Sequence, residues 1–293
     1  MPRAIKIVSD FDGVWTDQAA EVEAVRDFAV EELARLGESD RGDAAAAYAG
    51  MVRTVLAKPA QHGWAPDGRI SAYVDEDPLI ESSAVCRMLA QTNDAAMLRW
   101  RDAVLAGGFA DLHEFGEHCF VGGTTRFLRE QPPCIVPDAK AMLAALKQRG
   151  AEIVVVSNSA TEKLVKFFAA AGIGADELGH ADLRVRGSAR KWQIGETDAR
   201  IEVAGRAIHV DRPRYREVIA DEQPDVVIGD VFSLDLALPW TMRRDQHPAA
   251  PRALVLRRHP HTPAWVLGDR AGGAIDTIVD RVGELASVIE RLG

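Results

Sequence analysis

Apolar residues cluster along the chain in short runs that end in polar residues. Three such runs, rich in Ile and Val, cover residues 5–8, 152–156 and 225–228. Runs of this length, bounded by turn residues, are typical of buried parallel strands. Shorter apolar runs that predict further strands cover 183–185, 201–203, 207–210 and 253–256. Because helical patterns separate the main runs, the sequence predicts an α/β fold built on a parallel sheet.

Between residue 16 and about residue 129 the pattern changes from strand-like to helical. The first helix is predicted to end near Gly37, and its apolar face consists of Val22, Val25, Ala29, Leu33 and Leu36. Further helices are predicted over 43–56, 79–91 and 94–105. We therefore expect an all-helical domain over residues 17–129, inserted into a core domain formed by residues 1–16 and 130–293.

The remaining segments predict helices between the strands of the core. These helices cover 138–149, a stretch from Thr161 through Phe168, and a closing stretch over 282–292. Residues 159–162 (Ser-Ala-Thr-Glu) have the pattern of a capping box, which would begin the second of these helices. Inside the helical domain, residues 122–125 (Gly-Gly-Thr-Thr) predict a turn, with contact to a substrate as the alternative.

Composition and charge narrow the class of protein. Of the 293 residues, 47% are hydrophobic and 27% are charged, which is ordinary for a globular protein. The net charge of −9, without a basic block, argues against nucleic acid as a partner. No apolar run approaches the ~20 residues needed to span a membrane. Three cysteines without metal-type spacing, and no signal-peptide pattern before the first strand, favour a cytoplasmic enzyme.

Two carboxylates stand at the end of the first predicted strand. Asp10 and Asp12 lie on the same side of the extended chain. Carboxylates this close repel each other and need a cation or a proton between them. Other strand ends, where ligands collect in open α/β sheets, carry Ser157, Asn158, Asp230 and, five residues further on, Asp235. The sequence therefore predicts a site for a hard divalent cation, and Mg²⁺ is the ion that we favour.

Taken together, these motifs resemble those of the haloacid dehalogenase (HAD) superfamily. Residues 10–16 (Asp-Phe-Asp-Gly-Val-Trp-Thr) are similar to its first motif, Ser157 matches the second, and residues 229–235 fit the fourth, GDxxxxD. The three motifs occur in the family order. The resemblance implies a Rossmann-like core, three layers around a parallel sheet, with a helical cap inserted after the first motif. The cap would move about hinges near 16–18 and 129–136, with a fixed helical domain as the alternative.

The resemblance also implies catalytic roles. Asp10 would be the nucleophile that takes up a phosphoryl group, and Asp12 would be the general acid and then the general base. Ser157 would donate its hydroxyl to a phosphoryl oxygen, and Asn158 would lie close to the substrate. Because the dehalogenase branch generally lacks an acid at the position of Asp12, the resemblance favours a phosphatase over a dehalogenase.

A metal site is implied by the same motifs. Mg²⁺ would bind Asp10, a phosphate oxygen, Asp230 and the backbone carbonyl of Asp12. Asp235 would be a direct ligand or would fix a metal-bound water. The histidines, including His259 and His261, lack a partner set for zinc in the sequence, so we assign them no metal role.

The family's third motif, a basic residue, has two candidates. Lys191 follows a predicted strand, and Arg212 stands before the helix that leads to the fourth motif. We favour Lys191 as the catalytic cation, with Arg212 as a substrate-binding alternative. Lys163 is less favoured, because it lies on the helix directly after the second motif. Each also has the alternative of a solvated surface charge.

The sequence therefore predicts a Mg²⁺-dependent phosphatase that hydrolyses a small phosphorylated metabolite through an aspartyl-phosphate intermediate. A cap of this size would exclude long polymers from the site. A phosphomutase of the same superfamily would use the same residues. A phospho-aspartate receiver or binding protein without turnover is a further alternative, although receivers place the acceptor after a central strand of a short, uncapped domain. The sequence does not identify the substrate, and a homo-oligomer is one of the assemblies it allows.

Overall fold

A computed structural model describes residues 4–268 and 270–291 of the chain. The chain divides into two compact units, the first formed by Met1–Asp17 with Pro133–Gly293 and the second by Gln18–Pro132. We call these the core unit and the helical unit. None of the described helices combines the length and the apolar character needed to cross a membrane.

The strands lie mostly in the core unit. In chain order they are β1 (Ile5–Ser9), β2 (Gly63–Trp64), β3 (Ala72–Tyr73), β4 (Ala151–Val156), β5 (Ala175–Asp176), β6 (Leu183–Arg186), β7 (Arg200–Val203), β8 (Arg206–His209), β9 (Val226–Gly229), β10 (Ala253–Arg257) and β11 (Thr277–Val279). Seven of the described strands form one sheet in the order β11-β10-β9-β1-β4-β6-β5. Every pairing in this sheet is parallel, which confirms the predicted fold class.

The helices complete the two units. In chain order they are α1 (Ala19–Leu36), α2 (Arg41–Leu56), α3 (Glu81–Gln91), α4 (Ala95–Ala106), α5 (Leu112–Glu130), α6 (Ala139–Gln148), α7 (Thr161–Ala170), α8 (Pro213–Glu222), α9 (Ala237–Arg244), α10 (Ala264–Gly268), α11 (Arg270–Gly273) and α12 (Leu285–Glu290). A π-helical turn over Phe232–Leu236 precedes α9. The closing helix was predicted to reach Leu292, which lies outside the described residues.

The centre of the sheet is where the apolar runs of the sequence meet. Strand β1 lies between β4 and β9, and its Ile7 and Val8 are buried. Ser9 pairs with Val155 on one side and with Ile228 on the other. Since all three strands run in the same direction, their carboxyl ends leave the sheet side by side. This register brings the polar residues that follow each strand to one edge.

The strands predicted over 201–203 and 207–210 do not join this sheet. Strands β7 and β8 form a separate antiparallel pair, with Val203 opposite Arg206. The two residues between them, Ala204 and Gly205, both have positive φ, at 47° and 75°. A two-residue loop of this geometry suits the twist of a hairpin, so the segment pairs with itself.

The helical unit is built around the contact between α1 and α5. Helix α1 buries Val25, Ala29 and Leu33, three residues of the predicted apolar face. Gly123 of α5 lies against α1, because a Cβ atom at this position would approach Val25 Cα to 2.4 Å. The turn predicted over 122–125 is therefore wrong: these residues lie inside α5, where glycine permits close packing. The unit is helical apart from the short antiparallel pair β2–β3.

Candidate active site

The candidate site lies at the carboxyl edge of the central strands of the core unit. The Asp10 amide donates to Ile228 O at 2.8 Å, which continues the β1–β9 pairing by one residue. The loop after β6 is tied to the loop after β4, since Ala189 N donates to Ser157 O at 2.9 Å. The residues that follow β1, β4, β6 and β9 thereby share one edge of the sheet.

The loop after β1 is held by local contacts. Gly13 has a φ of 79°, a conformation that favours glycine. Trp15 is fully buried, and its indole N–H donates to Ser9 Oγ at 2.9 Å, while Ser9 Oγ donates to the carbonyl of Asp10 at 2.7 Å. The Trp15 ring packs edge-on against Phe168 of α7 at 5.2 Å between centroids. This packing fixes the backbone at Asp10.

Lys191 is the buried cation of the site. Its side chain is 2% exposed, and its ammonium donates to Asp10 Oδ1 and, at 2.8 Å, to Asp235 Oδ1. Burial opposes the protonated form, but the Asp10 and Asp235 carboxylates outweigh it and raise the pKa of Lys191 above its ordinary value. Lys191 therefore stays a cation between two carboxylates.

Three carboxylates form a cluster beside Lys191. One oxygen from each of Asp10, Asp230 and Asp235 lies within 4.8 Å of the others. Burial raises the pKa of Asp10 well above its ordinary value; Lys191 opposes this rise, while Asp235 and Asp230 add to it. Burial, followed by repulsion from Asp235, likewise raises the pKa of Asp230. The cluster carries more negative charge than one ammonium balances.

Asp230 gives the strongest indication of a metal ion. Its side chain is 1% exposed, and neither carboxylate oxygen accepts a hydrogen bond from the part of the chain that the structure describes. Buried carboxylates without hydrogen bonds are costly unless a cation or a proton compensates them. Oxygen donors of this kind are the ligands that Mg²⁺ prefers. Asp10, Asp230 and Asp235 therefore fit a divalent cation.

Asp235 owes its position to the π-helical turn. Its Oδ2 accepts from Val231 N at 3.1 Å, and the Tyr215 hydroxyl donates to its carbonyl at 3.0 Å. Gly229 leaves room for the side chain, because a Cβ atom at this position would lie 2.3 Å from Asp235 Cβ. π-Turns are frequent at functional sites, and this one turns the carboxylate back toward the end of β9.

Asp12 has a different set of partners. Its Oδ2 accepts from Ser157 Oγ at 3.2 Å and from Ser159 Oγ at 2.9 Å. Its Oδ1 accepts from Lys163 Nζ at 3.0 Å. The carboxylate is thus held by two hydroxyls and an ammonium, outside the three-carboxylate cluster. The metal role predicted for Asp12 concerns its backbone carbonyl and stays a prediction.

Asn158 and Arg212, which were predicted to bind substrate, both contact the backbone of Lys191. Asn158 Oδ1 accepts from the backbone N–H of Lys191 at 2.7 Å. Arg212 is fully buried and donates to the backbone carbonyls of Lys191 and His209. Both therefore hold the backbone of Lys191, and their predicted contact with a substrate stays a prediction. The polar groups of the Lys191 backbone needed partners once the loop was buried.

Two residues near the site were not selected from the sequence. Lys163 lies on the first turn of α7, and this places its ammonium at Asp12. His259, in the loop after β10, has its Nε2 atom 3.4 Å from Asp230 Oδ2. The capping box predicted over 159–162 is wrong, since α7 begins after Ala160 and the Ser159 hydroxyl donates to Asp12 instead. The sequence signal for Lys163 was its place on the helix directly after the second motif, which had made it the less favoured candidate for the basic residue.

No protein-family model and no curated protein matches the sequence. Among solved structures, the chain is similar to the 2-haloacid dehalogenase from Pseudomonas syringae, with 16% identity, 99% of this chain and 100% of that chain covered, and a TM-score of 0.44. It is similar to CbbY from Rhodobacter sphaeroides in complex with phosphate, with 14% identity, 96% of each chain covered and a TM-score of 0.44. It is also similar to the candidate HAD-hydrolase YfnB from Bacillus subtilis bound to magnesium, with 13% identity, 98% and 99% covered and a TM-score of 0.44. The solved structures that the chain resembles are thus HAD-type proteins of several activities, and a likeness at these values carries no conclusion about activity.

Proposed function

We propose that the chain is a HAD-type phosphatase that depends on Mg²⁺ and hydrolyses a small phosphorylated metabolite. The observation that carries this proposal is the arrangement around Asp10. This carboxylate shares Lys191 with Asp235 and lies next to Asp230, whose oxygens accept no hydrogen bond from the described residues. The proposed nucleophile, its cation and the proposed metal ligands therefore lie close together in space, although they come from distant parts of the chain.

Asp10 attacks the phosphorus atom of the substrate in the first step. A bond forms between a carboxylate oxygen and phosphorus, and the bond from phosphorus to the leaving oxygen breaks. Only the ionised carboxylate is a nucleophile. Burial opposes ionisation and raises the pKa of Asp10, and Lys191 counters it. Lys191 thus favours the charged form of the attacking oxygen, and we propose that its ammonium also stabilises charge on the phosphoryl oxygens.

Asp12 acts as the general acid in the first step and as the general base in the second. It donates a proton to the leaving oxygen, then takes one from the water that hydrolyses the acyl phosphate on Asp10. The hydroxyls of Ser157 and Ser159 and the ammonium of Lys163 hold its carboxylate in one orientation. Ser157 follows β4, the neighbour of β1, and we propose that its hydroxyl also donates to a phosphoryl oxygen.

Asp10, Asp230 and Asp235 would hold the divalent cation. When bound, it supplies positive charge that offsets the negative charge of the phosphoryl group during transfer. The chain's own contribution is to keep three carboxylates together at the edge of the sheet, despite their mutual repulsion. Lys191 balances part of that charge and leaves the remainder for the cation.

Phosphate release tests the proposal directly. The full chain is incubated with an aryl phosphate and with a panel of phosphorylated metabolites, with Mg²⁺ or with a chelator, and inorganic phosphate is measured. We expect release with Mg²⁺ and none with the chelator. Asp10→Asn should abolish turnover, while Asp245→Asn, which changes an exposed carboxylate of the core unit, should retain it.

Three results would contradict the proposal. Near-normal turnover in Asp10→Asn would refute the nucleophile, and an isomerised metabolite without free phosphate would identify a mutase. Phosphorylation of Asp10 by an acyl phosphate donor without subsequent release would instead favour the receiver-type alternative. Mass spectrometry of the intact chain distinguishes this last result, because a stable aspartyl phosphate adds the mass of one phosphoryl group.

A further inference from the structure

Tyr215 lies against the buried cation of the site although no sequence motif includes it. It is the third residue of α8, which begins at Pro213, and its side chain is buried. Its hydroxyl donates to the carbonyl of Asp235 at 3.0 Å. The aromatic ring is therefore held at both ends, by the helix that carries it and by the π-helical turn.

The face of this ring is turned to the ammonium of Lys191. Lys191 Nζ lies over the ring of Tyr215, 5.6 Å from its centroid. The face of an aromatic ring carries partial negative charge, and a cation within about 6 Å of the centroid is attracted to it. The attraction is strongest where water is excluded, and both side chains are buried. The ring therefore adds to the forces that hold the ammonium.

The hydrogen bonds of the ammonium leave a place for the ring. A lysine ammonium has three N–H groups. It donates to Asp10 Oδ1 and to Asp235 Oδ1, and it has no third oxygen or nitrogen acceptor among the residues that the structure describes. A buried N–H group without a partner is costly. The face of Tyr215 is the contact that remains to compensate the third N–H group.

We propose that Tyr215 is a positioning residue, and that its ring rather than its hydroxyl fixes the Lys191 ammonium between Asp10 and Asp235. This inference rests on the proposed function only for its effect on turnover. Without the ring, the two carboxylates still attract the ammonium but no longer hold it in a single position. Asp10 would then meet its cation in a less constant geometry, and its attack on phosphorus would slow.

A series of ring variants separates the charge on the ring face from the shape of the ring. The series begins with Tyr215→Phe, and in further chains this phenylalanine carries one, two or five fluorine atoms. Fluorine withdraws charge from the ring face and changes the shape of the ring little. Turnover of an aryl phosphate with Mg²⁺ should change by less than about threefold in Tyr215→Phe, which loses only the hydroxyl. It should then fall stepwise with fluorination, by roughly tenfold or more at five fluorine atoms.

Two leucine variants serve as comparison and control. Tyr215→Leu removes the ring, and turnover should fall roughly tenfold or more, as it does with five fluorine atoms. Tyr48→Leu makes the same change at a buried tyrosine of the helical unit and should retain turnover per folded molecule. Constant turnover along the fluorinated series would overturn the inference, since a ring that only packs keeps its shape. The series decides the question even where Tyr215→Leu fails to fold.

Nuclear magnetic resonance provides a readout that needs no turnover. In the ¹⁵N-labelled full chain with a chelator, the ammonium signal of Lys191 is the one that Lys191→Arg lacks. Its protons should exchange slowly with water in the unmodified chain and in Tyr215→Phe. In the chain with five fluorine atoms on this phenylalanine, exchange should be roughly tenfold or more faster. Equal exchange with and without fluorine would refute the contact between ring and ammonium.

The outcomes separate this inference from the proposed function. Turnover that does not respond to fluorination, in a chain that releases phosphate, refutes the positioning role and keeps the phosphatase. Ammonium exchange that becomes faster with fluorination, in a chain that releases no phosphate, supports the ring contact and refutes the phosphatase. A chain that releases no phosphate and whose ammonium exchange is insensitive to fluorination refutes both.

Discussion

Two lysine–aspartate pairs lie in the core unit, and they differ in how far they are removed from water. In the first, Lys191 is 2% exposed and Asp10 is 12% exposed, and Asp235, the second partner of Lys191, is 3% exposed. In the second, Lys163 is 15% exposed and Asp12 is 22% exposed. Both pairs join an ammonium to a carboxylate, but the first is part of a buried network and the second is partly exposed to solvent.

The difference suits the two steps of the proposed reaction. The pair around Asp10 has to present a charged nucleophile in one fixed position, and a buried network provides this because removing one member leaves the others uncompensated. Asp12 has to lose and regain a proton in each cycle. A carboxylate that water reaches in part, and that two hydroxyls orient, can do so without rearrangement of the core.

The largest effect is expected for Lys191→Met. It leaves three buried carboxylates without their cation, so the free energy of unfolding should fall by about 3–5 kcal/mol, and turnover should be lost. Urea denaturation in the presence of a chelator measures the first effect. Lys166→Met, which changes an exposed lysine of α7, is the matched control and should leave both quantities unchanged. Unaltered stability in Lys191→Met would show that the carboxylates are compensated by other means.

Asp12→Ala is expected to reduce turnover by roughly 10²–10⁴-fold, the usual contribution of a positioned acid–base group. The loss should be greater for substrates with poor leaving groups, because these need the proton most. A series of aryl phosphates with graded leaving-group pKa measures it. Asp17→Ala, at an exposed carboxylate in the same loop region, should leave the series unchanged. Equal losses on all substrates would remove Asp12 from the acid–base role.

Asp230→Asn should alter metal binding more than folding. In the unmodified chain, Mg²⁺ at about 100 times its dissociation constant stabilises the folded state by about 2.7 kcal/mol, which raises Tm. The variant should lose most of this rise, while its Tm in a chelator should not fall, since a buried charge has been removed. Asp221→Asn, at an exposed carboxylate, should keep the full response to Mg²⁺. An undiminished response in Asp230→Asn would refute Asp230 as a ligand.

A much smaller effect on stability than that of Lys191→Met is expected for Lys163→Met. Because this pair is only partly buried, the free energy of unfolding should change by about 1 kcal/mol or less. Turnover should fall less than in Asp12→Ala, since Ser157 and Ser159 still orient the carboxylate. Urea denaturation and steady-state kinetics measure the two effects. A loss of stability as large as in Lys191→Met would mean that exposure does not distinguish the two pairs.

Much of the fold could be predicted because its signal is local. The runs 5–8, 152–156 and 225–228 are mostly apolar, as is expected of central parallel strands buried on both faces, and the structure has them as neighbours. The parallel direction of these strands then brings Asp10 and Asp230 to the same edge. The apolar face of α1 was predicted for the same reason, since its spacing repeats with the period of a helix.

The remainder depends on contacts between distant parts of the chain. Gly122 and Gly123 suggest a turn by their low helix propensity, yet α1 packs against them and only their lack of a side chain allows it. The amide of Asn158 gave no sign that it would bind the backbone of Lys191, 33 positions away. His259 could be placed beside Asp230 only once β10 was known to be next to β9.

The π-helical turn over Phe232–Leu236 makes the length of this segment as important as its composition. The backbone N–H of Ala237 donates to Phe232 O, five residues back, so the turn contains one residue more than an α-helical turn. Deleting a single residue here would restore α-helical spacing and rotate the side chains that follow by about 100°. Asp235 would then leave Lys191 and the end of β9. A substitution elsewhere in the turn changes only how the turn packs. A shortened turn would instead move the Asp235 carboxylate out of the site, although the residue itself is unchanged.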